Sequence, residues 1–509
     1  MTLTRERETY RWKKRPYAHQ VQAIKKLLQN GWGGALLMEP RTGKTKTIID
    51  YISILHQKGR VNRVLVIGPV SAMGVWEDEL KANCPFKYRL LVWDRKTRKR
   101  ENLPSYGKDI LDIVIMNYDA LSTPGAWHVP KRGKNAGKRI RSTTRGGRYT
   151  IKKEIKKWAP QMIVLDESHR IKSPSARKTT AILSLSKIPS YRVIMTGTVV
   201  TKKKRMFDIY AQWLFLNPER FKDMTFSDFK NRYGKWIQGG EHWQRFIGPL
   251  NEDELHAKIH QDAFSITRAE CYDLPRRSPD QLHHIPLEES AKVYDQMAED
   301  MVARIKTGEI TEASIKLVQG MRLRQITSGL SKTLPTEAHP QGRLVVIGSE
   351  KLRFLESRLE DLMEADEKVV IGAVWKGDIY RIQQLCKKHK WPQFTIQGGM
   401  KQRDREYARK QFPKVDGGAI FIGQPAAASE AIDLSAASIM IWYSLTPSWV
   451  NYSQFCDRIA LSNRPTFYEY LLAGPVDELL YETLQEDGDI GKKMITSPER
   501  LLRLQEGDS

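Results

Sequence analysis

Two stretches of this sequence contain residue types suited to binding and splitting a nucleotide phosphate. The first, MEPRTGKTKT (38–47), places a Gly-Lys-Thr triplet between a strand-like and a helix-like segment. Backbone N–H groups at a helix N-terminus bind phosphate, a lysine reaches the β- and γ-oxygens, and a threonine hydroxyl coordinates Mg²⁺. Met38 stands where the pattern GxxxxGK[ST] has its first glycine, so the match is partial. The predicted phosphate-binding residues are Arg41, Thr42, Gly43, Lys44 and Thr45.

The second stretch, MIVLDESHRIKS (162–173), ends an apolar run in two adjacent carboxylates. In a site that hydrolyses a nucleotide, one carboxylate holds Mg²⁺ through its water and the other orients the attacking water. We assign the first role to Asp166 and the second to Glu167, because the cation would relieve the repulsion between them. The alternative is a helix N-terminus with a capping acid, and it would be favoured if Lys44 were absent.

The segments around these residues have the pattern of an α/β protein. Short β-branched runs, apolar on both sides, alternate with helical segments, which is typical of a parallel sheet covered by helices. This pattern stops at about 205, where a charged, aromatic-rich and mostly helical region begins, and returns after about 335. The sequence therefore predicts two α/β domains in tandem. The predicted strands are 34–38, 63–68, 112–116, 162–166 and 192–196 in the first domain, and 368–374, 394–399, 418–423, 438–444 and 466–474 in the second.

Composition narrows the class of protein. No apolar run approaches the roughly 18 residues that span a bilayer, and the polar N-terminus does not resemble a secretory signal. The four cysteines lie far apart without metal-ligand spacing, so we expect no zinc site or disulfide framework and a cytoplasmic setting. The net charge of +25 favours nucleic acid as partner, although a basic enzyme with a solvated surface is the alternative.

Part of this charge is concentrated in one stretch. Residues 131–157 contain twelve Lys and Arg and one acid, and we interpret the segment 127–158 as an insertion or mobile loop. Contact with nucleic acid is one interpretation, and a solvated loop is the other. Trp76, Trp93, Trp127 and Trp158 are expected to pack in or beside the core. The predicted nucleic-acid contacts in the insertion are Lys131, Arg132, Lys138, Arg139 and Arg141.

With GKT, DESH, a later TGT and an arginine-bearing segment in this order, the chain resembles the superfamily 2 helicase-like ATPases, most closely their Swi/Snf-type branch. The resemblance covers nearly the whole chain. Its most specific element is DESHRIKS, the Swi/Snf form of the acidic DExH motif. The other segments similar to this family include RPYAHQVQAI (15–24), VLVIGPVSAMGVWEDEL (64–80), DIVIMNYDAL (112–121), RVIMTGTVVTKK (192–203), ITRAECYDLP (266–275) and GMRLRQITSG (320–329).

The resemblance implies roles for residues of the first domain. Gln20 would read the adenine base, and His169 would link the acidic motif to TGT. The turn containing Pro69 and Ser71 would lie near DNA phosphates. The next DNA-facing motif would contribute Asn117 and Tyr118. The residues implied to couple hydrolysis to domain movement are Thr196, Gly197, Thr198 and, in the second domain, Asp433.

Two motifs of the second domain depart from the family. In AAASEAIDLSAAS (426–438), alanines replace two glycines, although Asp433 is kept. In QFCDRIALSNRP (454–465), Gln454 and Arg458 fit Q-x-x-x-R-x-x-R, but Leu461 occupies the second arginine position. We hypothesise that Arg458 contacts nucleotide phosphate and that Arg464 replaces the missing arginine. A surface salt bridge, or a slow or inactive ATPase, is the alternative.

The resemblance implies two RecA-like parallel-sheet domains with helical insertions. We place the first at 1–265, with a helical extension at 205–265, and the second at 266–509, with a helical insertion at about 287–335. We expect an ATP- and Mg²⁺-dependent motor that translocates on duplex or branched DNA in replication, recombination or repair. A strand-separating DNA or RNA helicase and an ATP-gated DNA clamp are the alternatives. The compact chain favours a bacterial or viral setting.

Overall fold

The computed structural model describes residues 10–69, 72–93, 103, 110–121, 127–128, 140–141, 148–197, 206–240, 243–273, 275, 277–306, 313–332, 344–428 and 432–486. The chain divides into two compact units, Met1–Tyr272 and Asp273–Ser509. The boundary expected at 265–266 differs from this division, because the strand that ends at Ile266 belongs to the first sheet.

The first unit is built on a seven-stranded parallel sheet with the order β11-β1-β8-β7-β2-β4-β3. All five strands expected from the sequence are present, and β3 and β11 were not predicted. The carboxyl ends of parallel strands share one edge, so the segments after β1, β2, β4, β7 and β8 emerge together. The strands are β1 Gly33–Met38, β2 Arg63–Gly68, β3 Tyr88–Trp93, β4 Leu111–Asn117, β7 Met162–Asp166, β8 Tyr191–Thr196 and β11 Ala263–Ile266, and a short antiparallel pair is formed by β5 Trp127–His128 and β6 Ile140–Arg141.

Helices cover both faces of this sheet, which explains why its strands are apolar on both sides. One core lies under α1, α2 and α3, and the other lies under α4, α5 and α6. The helices are α1 Ala18–Asn30, α2 Lys44–Gln57, α3 Ala72–Asn83, α4 Arg148–Trp158, α5 Arg177–Leu183, α6 Asp208–Leu216, α7 Phe226–Tyr233, α8 Glu252–His260 and α9 Arg268–Cys271.

The region 205–265 is less helical than the sequence suggested. Besides α6, α7 and α8 it contains an antiparallel hairpin, β9 Gly234–Gly240 and β10 Trp243–Pro249. Trp236 and Phe246 are cross-strand partners that pack against Phe207, and this contact attaches the hairpin to the unit. The hairpin was missed because its glycines and charges interrupt the strand pattern.

The basic stretch 131–157 also differs from the expected loop. Its last third lies in α4, where Ile151, Ile155 and Trp158 are buried in the core. Their spacing of four and three residues is that of one helix face, and the surrounding lysines obscured it. Trp76 and Trp93 are buried as expected, whereas the side chain of Trp127 lies outside the described part of the chain.

The second unit contains a six-stranded parallel sheet with the order β12-β19-β18-β15-β17-β16. The five strands expected from the sequence are present. The strands are β12 Gln281–His284, β13 Leu330–Lys332, β14 Leu344–Val346, β15 Lys368–Gly372, β16 Gln393–Ile396, β17 Ala419–Gly423, β18 Ile439–Trp442 and β19 Phe467–Leu472, of which β13 and β14 form a separate antiparallel pair. The helices are α10 Ala291–Lys306, α11 Ala313–Ile326, α12 Glu350–Glu364, α13 Lys376–Lys388, α14 Gln402–Gln411, α15 Pro425–Ala428, α16 Trp449–Cys456 and α17 Pro475–Gln485.

A buried polar network joins the helices of the second unit to its sheet. The Nζ of Lys351 on α12 donates to Asp477 of α17 at 2.5 Å. Asp378 of α13 accepts hydrogen bonds from Ser444 at 2.8 Å and from Ser328 at 3.2 Å. Burial raises the pKa of Asp378 to about 7. Among the described helices of both units, none is long and apolar enough to cross a membrane.

Candidate nucleotide-binding site

The phosphate loop joins β1 to α2 and has the backbone that its sequence requires. Gly43 has φ 81°, and a Cβ there would lie 2.1 Å from the Nε2 of Gln20, so only glycine fits. Lys44 folds across its own loop, with Nζ donating to the carbonyls of Met38 at 2.8 Å and Glu39 at 3.1 Å. Met38, at the position of the pattern's first glycine, is a buried residue at the end of β1. Thr45 lies in the first turn of α2.

The start of α1 packs against this loop. The Nε2 of Gln20 donates to the carbonyl of Gly43 at 3.5 Å, while its Oε1 accepts the backbone N–H of Tyr17 at 3.0 Å. The ring of His19 forms a hydrogen bond with the carbonyl of Thr42 at 2.9 Å. The residue predicted to read the base therefore lies directly beside the predicted phosphate loop.

The acidic motif follows β7, one strand away from β1 with β8 between them. Asp166 is 7% exposed, and its Oδ2 accepts the indole N–H of Trp76 at 2.9 Å. Glu167 has a left-handed backbone, with φ 54° and ψ 55°. A non-glycine residue in this region stores strain of about 1–3 kcal/mol, and such strain is commonly found at functional sites.

The end of β8 supports Glu167. The Oγ1 of Thr196 donates to Glu167 Oε2 at 3.5 Å and lies 3.2 Å from the Nδ1 of His169, which is itself 3.2 Å from Glu167 Oε2. A Cβ at Gly197 would lie 2.7 Å from Pro40, so this glycine lets the coupling motif pack against the phosphate loop. Thr198, the third predicted residue of that motif, lies outside the described residues.

The residues of the first unit that were predicted to contact nucleic acid do not all lie in the same part of the unit. Pro69 follows β2 and Asn117 ends β4, both at the carboxyl edge of the sheet. Tyr118 is 3% exposed and its ring packs in the core, so its predicted role at nucleic acid stays a prediction. Its hydroxyl donates to the carbonyl of Asp166 at 2.8 Å. Arg141 lies in β6. Ser71, Lys131, Arg132, Lys138 and Arg139 lie outside the described residues.

In the second unit, the two predicted arginines have different surroundings. Arg458 is 7% exposed, and its guanidinium donates to the carbonyls of Gln454 at 2.7 Å and Ile432 at 3.2 Å. The side chain of Arg464 is 61% exposed and forms a bidentate ion pair with Glu367, with one N–O distance of 2.8 Å. This ion pair raises the pKa of Arg464 above its usual value. Asp433 caps its own turn by accepting the N–H and hydroxyl of Ser435.

Several residues at the site were not identified from the sequence. Trp76 was assigned to packing, although it lies in the family-like segment 64–80. The hydroxyl of Ser168 donates to Oε1 of Gln212 at 2.6 Å, which ties the acidic motif to α6. Arg268 of α9 forms an ion pair with Glu39 of the phosphate loop at 3.2 Å. No local motif marks these pairs, because their partners are 44 and 229 residues apart.

The donor set fits a magnesium nucleotide. Lys44, the hydroxyl of Thr45 and the N–H groups that begin α2 lie at the same sheet edge as the carboxylate of Asp166. Mg²⁺ prefers hard oxygen ligands, and phosphate prefers N–H groups at a helix N-terminus. Bound there, the ion would supply charge neutralisation of the phosphates.

Known proteins are similar to the chain over most of its length. The model of the SNF2-related domain matches residues 18–332, and that of the helicase conserved C-terminal domain matches residues 350–461. A relative from Danio rerio, "Chromodomain-helicase-DNA-binding protein 1-like", is 22% identical over 84% of this chain and 38% of its own length. The "Putative ATP-dependent helicase/translocase YwqA" of Bacillus subtilis is 21% identical over 92% of this chain and 47% of its own length. The chain thus spans less than half the length of these two relatives.

A solved structure titled "Sulfolobus solfataricus SWI2/SNF2 ATPase core in complex with dsDNA" aligns over 98% of this chain and 99% of its own, with 18% identity and a TM-score of 0.41. The resemblance inferred from GKT, DESH and TGT is confirmed by the family models, and membership of this family implies the use of ATP. The expected fold class is confirmed by the parallel sheets of the two units. Since the SNF2-related domain alone accounts for 315 of the 509 residues, the chain belongs to the SNF2-related family of helicase-like ATPases.

Proposed function

We propose that this chain is an ATP-dependent motor that hydrolyses ATP at the carboxyl edge of its first sheet and uses the energy to translocate on double-stranded DNA. The observation that supports this most is the convergence of Lys44, Asp166, Glu167 and Thr196 on that edge from three neighbouring strands. Members of this family couple such a site to nucleic acid, and two relatives carry helicase in their names.

Each residue of the site has a separate role in this proposal. Lys44, Thr45 and the N–H groups of α2 hold the phosphates, with Gln20 at the base. Asp166 holds Mg²⁺ through water, and Glu167 orients the attacking water. Thr196 and His169, both within 3.5 Å of the Glu167 carboxylate, fix its direction. A carboxylate whose Oε2 is contacted by two side chains loses little freedom when it acts, and this favours catalysis.

Duplex DNA as the partner is supported by charge. The net charge of +25 favours a polyanion. Lys153, Lys156 and Lys157 lie at exposed positions of α4, whose opposite face is buried in the core. Such a helix presents positive charge on a rigid support, as phosphate contact requires.

The second candidate is an ATP-gated DNA clamp with little turnover. Leu461 replaces an arginine of the family motif, and Arg464 is held by Glu367 instead. A missing arginine at the transferring phosphate costs roughly 10³–10⁵ in rate in comparable enzymes. The clamp therefore predicts tight binding of ATP and DNA with slow hydrolysis.

Hydrolysis measured with and without duplex DNA distinguishes these functions. We expect duplex to stimulate the wild-type ATPase strongly, Lys44→Ala to lose nucleotide binding, and Glu167→Gln to bind ATP but hydrolyse it roughly 10²–10⁴ times more slowly. Lys25→Ala, an exposed lysine of α1, is the matched control and should behave like the wild type. Binding of both ligands without turnover would support the clamp. Strand displacement by an active enzyme would show a helicase, and triplex displacement alone would show a translocase.

A further inference from the structure

Two segments next to residues that the sequence places near nucleic acid in the first unit donate a hydrogen bond to the same residue, Asp166. From α3, the indole Nε1 of Trp76 donates to the carboxylate Oδ2 at 2.9 Å. From the short 3-10 helix Tyr118–Leu121, the hydroxyl of Tyr118 donates to the backbone carbonyl at 2.8 Å. One bond fixes the side chain and the other fixes the backbone of this residue.

The three groups are buried, so water does not replace a lost bond. Trp76 is 1% exposed, Tyr118 is 3% exposed and Asp166 is 7% exposed. The end of β2 packs against a further side of Asp166, because a Cβ at Gly68 would lie 3.2 Å from the Cβ of Asp166. A carboxylate that accepts a hydrogen bond in such a buried space has a defined direction.

Each donor is joined to the predicted nucleic-acid surface by a short, regular segment. α3 begins at Ala72, directly after the turn that contains Pro69, and Trp76 lies about one helical turn further on. Tyr118 follows Asn117, whose side chain accepts the N–H of Ala120 at 2.7 Å and so fixes the start of the 3-10 helix. A shift of either segment on phosphate contact would therefore move a donor of Asp166, because a helical turn moves as a unit.

We propose that Trp76 and Tyr118 are positioning residues that transmit duplex binding to the Asp166 carboxylate and so set the affinity of the site for Mg²⁺ and nucleotide. This rests on the proposed function, since it requires DNA at those two segments. Coupling between two binding sites is reciprocal, so duplex must tighten Mg²⁺-nucleotide binding by the same factor by which Mg²⁺-nucleotide tightens duplex binding. Typical factors are roughly 5- to 150-fold.

The test measures binding and not turnover. A fluorescent ADP is titrated against the full chain at several Mg²⁺ concentrations, with and without duplex DNA. In the wild type we expect duplex to lower the dissociation constant and the Mg²⁺ requirement. Trp76→Phe and Tyr118→Phe, which remove one N–H and one hydroxyl, should each reduce the effect of duplex by about fivefold or more. They should also raise the Mg²⁺ concentration needed without DNA.

Matched controls remove the same groups elsewhere in the unit. Trp93→Phe alters another buried indole, and Tyr51→Phe deletes a hydroxyl that lies 3.4 Å from the carbonyl of Leu27. Both should keep the coupling of the wild type. If Trp76→Phe does not fold, as judged by circular dichroism, Tyr118→Phe decides alone, because it removes a single oxygen.

The outcomes separate this inference from the proposed function. Wild-type coupling that persists in both folded variants overturns the inference and leaves the motor intact. A wild type that does not bind duplex overturns the motor and the inference together. Coupling lost equally in the two control variants also overturns the inference, because a general loss of packing would then explain the result.

Discussion

At the scale of single residues, Leu461 stands where the pattern Q-x-x-x-R-x-x-R has its second arginine, and Arg464 follows three residues later. The carboxylate of Glu367, just before β15, holds the guanidinium of Arg464. Arg458, in contrast, is fixed in the core by two backbone carbonyls. The chain thus replaces a motif arginine by Leu461 and uses the nearest following arginine in an exposed ion pair.

We expect Arg464→Ala to change ATP hydrolysis by less than about tenfold, because an exposed ion pair contributes little. Arg458→Ala should lower hydrolysis or folding much more, since it leaves two buried carbonyls without their donor. Steady-state ATPase rates at saturating duplex test this, with Glu367→Ala as the matched control. A loss of about 10³-fold in Arg464→Ala alone would establish it as the replacement arginine.

The residues of the site could be predicted from the sequence where their chemical role depends on residues that are close to them in the chain. The Gly-Lys-Thr triplet and the Asp-Glu pair could be identified from the sequence by their position between a strand and a helix. Trp76 was assigned to packing, because a tryptophan in a helix is usually a packing residue, and Tyr118 was assigned to nucleic acid and not to Asp166. Their bonds to Asp166 join residues 90 and 48 positions apart, and only the order of the strands brings them together.

At the scale of elements, Asp262 connects α6 to the edge of the first sheet. It lies directly before β11 and is 3% exposed. Its carboxylate accepts the indole N–H of Trp213 at 3.2 Å and two N–H groups of Arg220 at 2.8 and 2.7 Å. The amide of Asn217 lies at 3.3 Å. One buried acid therefore satisfies donors of three residues from the segment that follows the coupling motif.

Asp262→Ala should destabilise the first unit by about 3 kcal/mol, because it leaves a partly buried guanidinium and an indole N–H unpaired. Asp262→Asn should cost less, since its oxygen still accepts one bond. Urea unfolding measures both, with Asp253→Ala on the exposed part of α8 as the control. Equal midpoints for Asp262→Ala and the control would show that the contacts of Asp262 contribute nothing to stability.

Elements were predicted well where burial on both faces gave uniform apolar runs, as in β1, β7 and β17. They were missed where a strand or helix is half exposed. The hairpin of β9 and β10 has one face on Phe207 and exposed isoleucines, Ile237 and Ile247, elsewhere. In α4 the lysines outnumber the three apolar anchors, so charge concealed the periodicity.

At the scale of the whole molecule, the two units share a fold and differ in the residues that they bury. Both contain a parallel sheet between helices, as the sequence indicated. Each unit also buries charged groups, and in the second unit burial raises the pKa of Asp378 to about 7. Lys351 of α12 and Arg381 of α13 face this carboxylate and partly oppose the shift.

The stability of the second unit should therefore fall as pH rises. Below about pH 4 Asp378 is protonated in both the folded and the unfolded chain. Between about pH 4 and 7 the unfolded chain releases the proton while the folded chain keeps it, so folding is progressively disfavoured, and the loss is complete above pH 7. Between pH 5 and pH 8 the stability difference between Asp378→Asn and the wild type should shift by about 3 kcal/mol in favour of the variant.

Hydrogen exchange of the amides in β15 and α13 measures the stability of the second unit separately from that of the first. Ser444→Ala serves as a comparison, because it removes a hydrogen bond to Asp378 and leaves the ionisable group in place. A pH-independent difference between Asp378→Asn and the wild type would contradict the prediction.

The strand β11 determines how tension on the connection between the two units would load the first sheet. It is parallel to β1 over four residue pairs, from Ala35 with Ala263 to Met38 with Ile266, and the chain passes from it through α9 to the second unit. Tension applied at Asp273 along the strand direction would load these hydrogen bonds in shear, all at once, and would not peel them apart singly. The Glu39–Arg268 ion pair adds a second attachment at the end of the same ladder. A pull on the connection thus reaches β1, the strand that precedes the phosphate loop, directly through its pairing with β11.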